Sequence, residues 1–580
     1  MDKKHIEKRA KEYIAREKNE EFRSSVEKLL DKNDWEELSD RFYKDISFGT
    51  GGIRGKIAGG YNRINPFIIS RATQGLANYI GKTTDQDAAS VVIAYDSRRY
   101  SEVFAEQAAL VLCANGIKVH LFTSLRTTPE LSFAVRKLGA TAGIVLTASH
   151  NPPEYNGYKV YWSDGGQIVP PHDTGIIEEV HNVTDEILLI SRDEAVNAGL
   201  LRYIDQEIDG PYIEMVKNHA LRPTLIKEQG KNLKVVFTPL HGTGAMPVER
   251  VLSDMGIDVI PVPEQREPNG EFPTVEYPNP EETSAMEMAI KLGEKVGADL
   301  VMGTDPDGDR LGIAVPDTDG FTLVNGNQLG VLLADYIFSS LKEVGSLPDN
   351  PVLVKTIVTT ELQRLIAEHY GAKVYNTLTG FKYIAEKIRQ FEKTGEQYVF
   401  GGEESYGFLV GTEVRDKDAV GAAAMTAEMA LYNVSRNMSV LDHLASLYEK
   451  FGYFKEILVS KKLEGQEGSE KIGSIMSQLR ESPLKELGGS NVVLIKDYKI
   501  GTTTYISTGE SEPIDLPKSN VLQFGTEDDT LFSVRPSGTE PKIKFYASAR
   551  SRPGTALGEA EKEVDRKLSR IEEQITELMS

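Results

Sequence analysis

One cysteine in 580 residues excludes an intramolecular disulfide and a thiolate metal site, and Cys113, set in an apolar run, reads as a buried thiol. Long apolar stretches are missing as well: no uninterrupted run reaches the ~18 residues that a bilayer-spanning helix needs. The first forty-odd residues are dense in both charge signs and contain no apolar segment of signal-peptide length. The expectation is therefore a soluble, cytoplasmic chain with no membrane partner. Nor is there a basic excess. A formal net charge of −21 argues against sequence-independent nucleic-acid binding, which requires a basic footprint, while locally concentrated basic residues would still admit a small anion.

What is present is enough apolar material, 40% of residues, for several cores; a chain of this length exceeds what one core serves, and three to five domains is the expected range. Ile6, Ala10, Tyr13 and Ile14, then Phe22, Val26, Leu29 and Leu30, recur at helical spacing among Lys and Glu and predict an amphipathic helical lead-in. A βαβαβ rhythm then recurs three times. Its strands are predicted at Val91–Tyr95, Ile117–Phe122 and Ala142–Leu146, at Lys234–Phe237, Asp258–Val262 and Asp299–Met302, and at Val352–Val358, Lys373–Asn376 and Gln397–Phe400. The last strand of each unit runs into a polar loop, at Ser149, Asp305 and Glu403. Ligands of open α/β sheets gather beyond the carboxyl ends of strands, so three such loops would suit one shared cleft. From about Gly452 the pattern changes to an α+β region with strands near Val492–Lys496, Thr503–Ile506, Val521–Gln523 and Ile543–Tyr546. A terminal helix follows, striped by Leu557, Ala560, Val564, Leu568, Ile571, Ile575 and Leu578. Boundaries are expected near 206, 320 and 447, giving domains 1–206, 207–320, 321–447 and 448–580.

Thr147-Ala148-Ser149-His150-Asn151-Pro152 sets a hydroxyl on a tight turn directly after a strand. It is not a nucleophile elbow, because Thr147 and Asn151 stand where that motif needs glycines. Its plain alternative is a capped loop whose side chains satisfy backbone groups. Asp305, Asp307 and Asp309 alternate, and in an extended loop their carboxylates would point to one side and converge on a hard divalent cation. An EF-hand is excluded by Arg310 and Pro316 at its sixth and twelfth positions, and a haloacid-dehalogenase motif by Asp309. The plain alternative is a solvated acidic turn. Together, a serine and a magnesium-type site suggest phosphoryl transfer.

Four further segments carry polar groups, three of them on glycine-bearing loops. Gly402-Glu403-Glu404-Ser405-Tyr406-Gly407 reads equally as a ligand loop or as a helix N-terminal charge pattern. Arg535-Pro536-Ser537-Gly538-Thr539-Glu540-Pro541 offers a guanidinium, hydroxyls and backbone N–H groups suited to a phosphate, or is only a turn. Phe48-Gly49-Thr50-Gly51-Gly52-Ile53-Arg54-Gly55 fails the spacing of a dinucleotide fingerprint. Tyr95-Asp96-Ser97-Arg98 reads as an Asp–Arg pair closing a strand.

These segments jointly resemble the α-D-phosphohexomutase family of phosphoglucomutases and phosphomannomutases, from about Phe48 to Tyr546, and most nearly its long bacterial phosphoglucomutase branch. The resemblance implies three similar α/β domains with mixed sheets plus a C-terminal α+β domain around a central cleft. It implies an intramolecular phosphotransferase, an isomerase, that moves phosphate between C1 and C6 of glucose through a phosphoserine and glucose 1,6-bisphosphate. Mannose or pentose phosphates are alternative substrates, and a metal-dependent sugar phosphatase is the alternative from another class. By the same resemblance Ser149 carries the phosphate and, with Asp305, Asp307 and Asp309, holds one Mg²⁺ per chain. Arg54 faces the active centre and Arg310 steadies the transferring charge. Glu403 and Ser405 bind sugar, Thr379 and Gly380 bind substrate, and Arg535, Ser537, Gly538 and Thr539 bind the other phosphate, their loop closing the cleft. The acid and base stay open among Lys159, Lys382 and His150, because one branch carries histidine where this chain has Gly407. The partners implied are hexose phosphates, and the protein is expected as a monomer or homodimer.

Overall fold

Val91 to Ala94 and Ala142 to Leu146 are apolar at every position, the mark of strands covered on both faces, and both lie inside a six-stranded sheet. The computed structural model describes residues 3–49, 51–84, 88–184, 187–463, 465–537 and 542–579. The chain divides into two compact units, one of Met1–Gly326, Phe381–Phe400 and Ser405–Tyr432, the other of Asn327–Gly380, Gly401–Glu404 and Asn433–Ser580.

In the first unit the six-stranded sheet runs in the order Gly52–Lys56, Tyr155–Trp162, Ala142–Leu146, Ser90–Tyr95, Lys118–Phe122, Leu201–Ile204. The last four are mutually parallel, whereas Tyr155–Trp162 returns antiparallel to both Ala142–Leu146 and Gly52–Lys56. A second, five-stranded sheet has the order Gly320–Val324, Leu311–Asp317, Leu300–Thr304, Lys234–Thr238, Asp258–Pro261, and its strand Leu311–Asp317 again turns back antiparallel. The sequence rhythm did not reveal these return strands. Tyr155–Trp162 carries Asn156, Gly157 and Lys159, and Leu311–Asp317 contains Pro316, so neither looks like an apolar β run.

The lead-in forms three helices, Lys3–Arg16, Glu20–Lys32 and Trp35–Phe42. Ile6, Ala10, Tyr13, Phe22 and Val26 are buried, as the helical spacing predicts. Asn19 caps the second helix by accepting from the backbone of Glu21 and Phe22.

In the second unit Pro351–Thr356 pairs in parallel with Lys373–Thr377. The C-terminal region is an antiparallel sheet whose core, Phe524, Phe532, Val534 and Phe545, is closed by helices Gly465–Glu481 and Leu557–Met579. Four of its strands, Phe454–Lys462, Glu486–Leu487, Ser511–Pro513 and Leu531–Pro536, were not predicted. The first is punctuated by charged residues at Lys455, Glu456, Lys461 and Lys462, which hide its β pattern. Among the described residues no helix is long and apolar enough to cross a membrane.

Candidate active site

The strand Ala142–Leu146 ends just before Thr147, and Ser149 turns the chain with φ of 51°, a left-handed conformation that costs a non-glycine residue about 1–3 kcal/mol. Local bonds hold it there. Ser149 N–H donates to Thr147 Oγ1 at 2.8 Å and Asn151 N–H to the Ala148 carbonyl at 3.2 Å. Beneath them the buried Arg98 guanidinium donates to the carbonyls of Ser149 and Asn151, of Pro152 at 2.8 Å and of Tyr155 at 3.1 Å. The Ser149 hydroxyl donates to Asp305 Oδ2 at 2.6 Å and lies 3.2 Å from His150 Nδ1.

Asp305, Asp307 and Asp309 do converge: one carboxylate oxygen of each lies within 4.8 Å of the others, and all three are buried. The route differs from the extended loop expected. Gly308 takes φ of 66°, its N–H donates to the Asp305 carbonyl, and the N–H groups of Asp309 and Arg310 donate to Asp305 Oδ1 at 3.1 and 3.0 Å. A turn wrapped round the first carboxylate, rather than strand alternation, brings the three together. Gly242 and Thr243 back the turn: a Cβ at Gly242 would meet Pro306 backbone at 2.4 Å, and Thr243 donates to the Pro306 carbonyl at 2.9 Å. Asp307 Oδ1 and Asp309 Oδ1 are buried with no hydrogen-bond partner among the described residues, and every donor in the cluster is a carboxylate oxygen. That donor set fits a hard divalent cation.

Two lysines face the cluster. Lys159 Nζ lies 2.7 Å from Asp307 Oδ2 and 3.6 Å from Asp309 Oδ2, because the return strand sets Lys159 opposite Val145, four residues before Ser149. Lys417 Nζ lies 2.7 Å from Asp309 Oδ2. Burial opposes ionisation of Asp307, yet Lys159 and Lys417 outweigh it and hold this carboxyl far below its usual range. Burial, reinforced by Asp307 and Asp309, instead pushes Asp305 well up. Burial also disfavours the charged amine of Lys159, but the two carboxylates overcome it and raise its pKa, so it stands as an ammonium. His150 is held well below its ordinary value, by burial first and then by Arg310 and Arg54, so its ring is neutral. Arg54 donates to Asn151 Oδ1 at 3.1 Å, and Arg310 pairs with Glu281 while its Nε stands 4.0 Å from Asp309.

Sequence reasoning missed Lys417, and the signal was indirect. A Cβ on Gly407 would stand 2.0 Å from Lys417 Cδ, so a side chain at 407 and this placement of Lys417 exclude each other. It missed Thr128 too, whose N–H donates to the Asp307 carbonyl at 2.8 Å and whose hydroxyl donates to Asp307 Oδ2 at 2.9 Å.

In the second unit Glu403 Oε1 accepts from Gly380 N–H at 2.7 Å, which brings Glu403 together with the Thr379-Gly380 turn. Its neighbour Glu404 is instead engaged by the Thr356 and Thr359 hydroxyls at 3.1 and 3.2 Å, which distinguishes the paired glutamates. Arg535 and Ser537 are half-buried on and just after the strand Leu531–Pro536, whereas Gly538 and Thr539 lie outside the described residues. In the first unit Ser405 precedes the left-handed Tyr406, whose carbonyl accepts from Leu311 N–H at 3.0 Å. Lys382 is buried with its amine 5.1 Å from the Tyr383 ring; burial lowers its pKa against the opposing pull of Asp173 and Glu386.

Three family descriptions match successive stretches of the chain: phosphoglucomutase/phosphomannomutase alpha/beta/alpha domain I over 45–186, domain II over 210–320 and domain III over 325–451. Phosphoglucomutase of Staphylococcus aureus strain MRSA252 is 38% identical over 515 residues, covering 88% of this chain and 91% of that protein. The Staphylococcus saprophyticus phosphoglucomutase is 36% identical over 530 residues, covering 90% and 94%. Among solved structures, the phosphoglucomutase pp63/parafusin of Paramecium in its open form aligns with a TM-score of 0.70 at 17% identity, covering 93% and 95%. A phosphoglucomutase/phosphomannomutase family protein of Burkholderia thailandensis aligns with a TM-score of 0.62 at 19% identity, covering 90% and 97%; at these identities the structural likeness concerns the fold alone.

Proposed function

The chain belongs to the phosphoglucomutase/phosphomannomutase family, and on that premise we propose that it interconverts α-D-glucose 1-phosphate and glucose 6-phosphate through phosphorylated Ser149. The observation that carries this reading is the 2.6 Å bond from the Ser149 hydroxyl to Asp305, the first of three buried carboxylates. It supports reading Ser149 as a group carrier beside a cluster suited to a divalent cation. Mg²⁺ held by Asp305, Asp307 and Asp309 would supply neutralising charge for the transferring phosphoryl group.

The chain's own residues do the rest. The phosphoryl group leaves Ser149 Oγ for the free hydroxyl of the bound hexose monophosphate: the P–Oγ bond breaks, the new P–O bond forms, and the hydroxyl proton passes to a base. Lys159, an ammonium between Asp307 and Asp309, stands ready to protonate Ser149 Oγ as it is released. Lys382, whose burial favours the neutral amine, suits the base. Neutral His150 orients Ser149 Oγ from 3.2 Å. Arg54 and Arg310 present positive charge to the phosphate, while Glu403, Ser405 and the Thr379-Gly380 turn take the sugar hydroxyls and Arg535, Ser537, Gly538 and Thr539 the distal phosphate. After the bisphosphate reorients, the reverse transfer restores phosphoserine and releases the isomer.

On this reading the protein takes one Mg²⁺ and, as activator, glucose 1,6-bisphosphate, and works in the cytoplasm. The test supplies purified protein with Mg²⁺, glucose 1-phosphate and trace glucose 1,6-bisphosphate and follows glucose 6-phosphate and free phosphate together. Glucose 6-phosphate without stoichiometric free phosphate is expected. Free phosphate as the main product would replace the mutase with a sugar phosphatase.

A further inference from the structure

Arg98 is a buried cation beneath the candidate transfer serine, and its ion pair is with Asp96. Its guanidinium is buried under the turn and donates to four carbonyls, those of Ser149, Asn151, Pro152 and Tyr155. These span the whole turn, from the residue with positive φ to the start of the return strand. A single planar fork thus holds in register a segment whose conformation L-residues disfavour.

Arg98 is itself held from two sides. Asp96 lies 3.4 Å from its Nε and accepts from its backbone N–H at 2.9 Å, with Ser101 Oγ donating to the same carboxylate oxygen at 2.8 Å. The Phe272 ring, from the segment that follows the second sheet's strand Asp258–Pro261, stands 4.9 Å from the guanidinium carbon, and Phe272 too has a left-handed φ of 45°. Gly270 makes that approach possible, because a Cβ there would meet the backbone of Ser97 and Arg99 at 2.6 Å. Two residues beyond Arg98, Tyr100 occupies a left-handed φ of 64° and reaches the lead-in helices. Its hydroxyl donates to Glu21, and its ring meets Phe22 edge-on at 5.1 Å and stacks on Phe104 at 5.9 Å.

We propose that Arg98 is the positioning residue of the serine turn, and that the N-terminal helices act in the reaction by bracing it through Glu21, Phe22 and Tyr100. The proposal gives the lead-in, which supplies no predicted site residue, a place in the chemistry, and it rests on the reading of Ser149 as the phosphoryl carrier. The braced turn keeps Ser149 Oγ aimed at the hexose hydroxyl; a loosened turn lets the phosphoryl group meet water instead.

Full-length Arg98→Lys and Tyr100→Phe proteins test it. Lysine keeps the charge but cannot span four carbonyls, and phenylalanine keeps the ring against Phe22 while removing only the bond to Glu21. With Arg98→Lys, kcat for glucose 1-phosphate isomerisation is expected to fall roughly 100-fold, the scale of a displaced reacting group, with KM nearly unchanged and more free phosphate released per turnover. Tyr100→Phe, which guards against a folding failure of the first variant, should shift kcat and phosphate release the same way by less. Amide hydrogen exchange at residues 147–152, read without substrate, should quicken in both. Unchanged exchange in both variants overturns the bracing whatever the activity. Quickened exchange with unaltered kcat and phosphate release overturns its catalytic purpose, and a wild-type protein lacking mutase turnover overturns the reading of Ser149 on which that purpose rests.

Discussion

Thr128→Val removes one hydroxyl and little else, and it isolates how the carboxylate cluster is tuned. Thr128 opens the helix Thr128–Leu138, is fully buried, and donates its hydroxyl to Asp307 Oδ2 at 2.9 Å and its N–H to the Asp307 carbonyl at 2.8 Å. Valine preserves shape, β-branching and the backbone bond but withdraws the side-chain donor. A hydrogen bond to a charged group contributes about 1.5–3 kcal/mol. If that bond orients Asp307 for a cation, its loss lowers affinity by about 10–100-fold, the range seen when outer partners of metal ligands are removed. Mn²⁺ binding followed by electron paramagnetic resonance of the free ion should show this weakening. The Mg²⁺ concentration for half-maximal activity should rise in parallel, and activity should return at saturating metal. Thr128→Ser, which retains the hydroxyl, should restore affinity. An affinity within twofold of wild type in Thr128→Val would mean that Asp307 is positioned without this bond.

Gly407→Ala should displace Lys417, since the added methyl would stand 2.0 Å from Lys417 Cδ, and should lower kcat while far-ultraviolet circular dichroism stays native; wild-type kcat would show that the lysine's contact with Asp309 is dispensable. Glu130 is fully buried with its nearest Arg126 contact at 3.9 Å, and burial together with Asp209 raises its pKa well above the ordinary 4.5. The folded protein therefore keeps a proton that the unfolded chain loses above about pH 4.5, and this group's contribution to stability falls as pH rises from there. Glu130→Gln should remove that loss, so its Tm relative to wild type should climb between pH 4.5 and pH 8; a constant difference would mean that Glu130 does not titrate abnormally.

The serine turn and the acidic loop were legible because each follows a short, largely apolar strand and is marked by residues that are costly to bury. The N-terminal helices were legible from spacing alone. What sequence could not convey was convergence across distance. Lys417 is more than a hundred residues from Asp309, and its place depends on a side chain that Gly407 does not have. Alternation anticipated that the three aspartates converge but not how, since Gly308 in a left-handed conformation bends the loop round Asp305. Arg98 read as the partner of Asp96, which it is, but the carbonyls it gathers belong to a segment fifty residues on, a relation that exists only after Tyr155–Trp162 turns back against Ala142–Leu146. Return strands broken by glycine, asparagine, proline or lysine were invisible for the same reason: their partners, rather than their own pattern, make them strands.

Whether Ser149 carries the phosphoryl group is read from a single-turnover chase. Protein labelled with isotopic phosphate from glucose 1,6-bisphosphate, with the label mapped by tandem mass spectrometry, is mixed with unlabelled glucose 1-phosphate. One phosphoryl group is expected on Ser149, passing to sugar at least as fast as kcat, with neither label nor turnover in Ser149→Ala. Label on another residue, label that leaves more slowly than turnover, or an active Ser149→Ala protein would contradict that role.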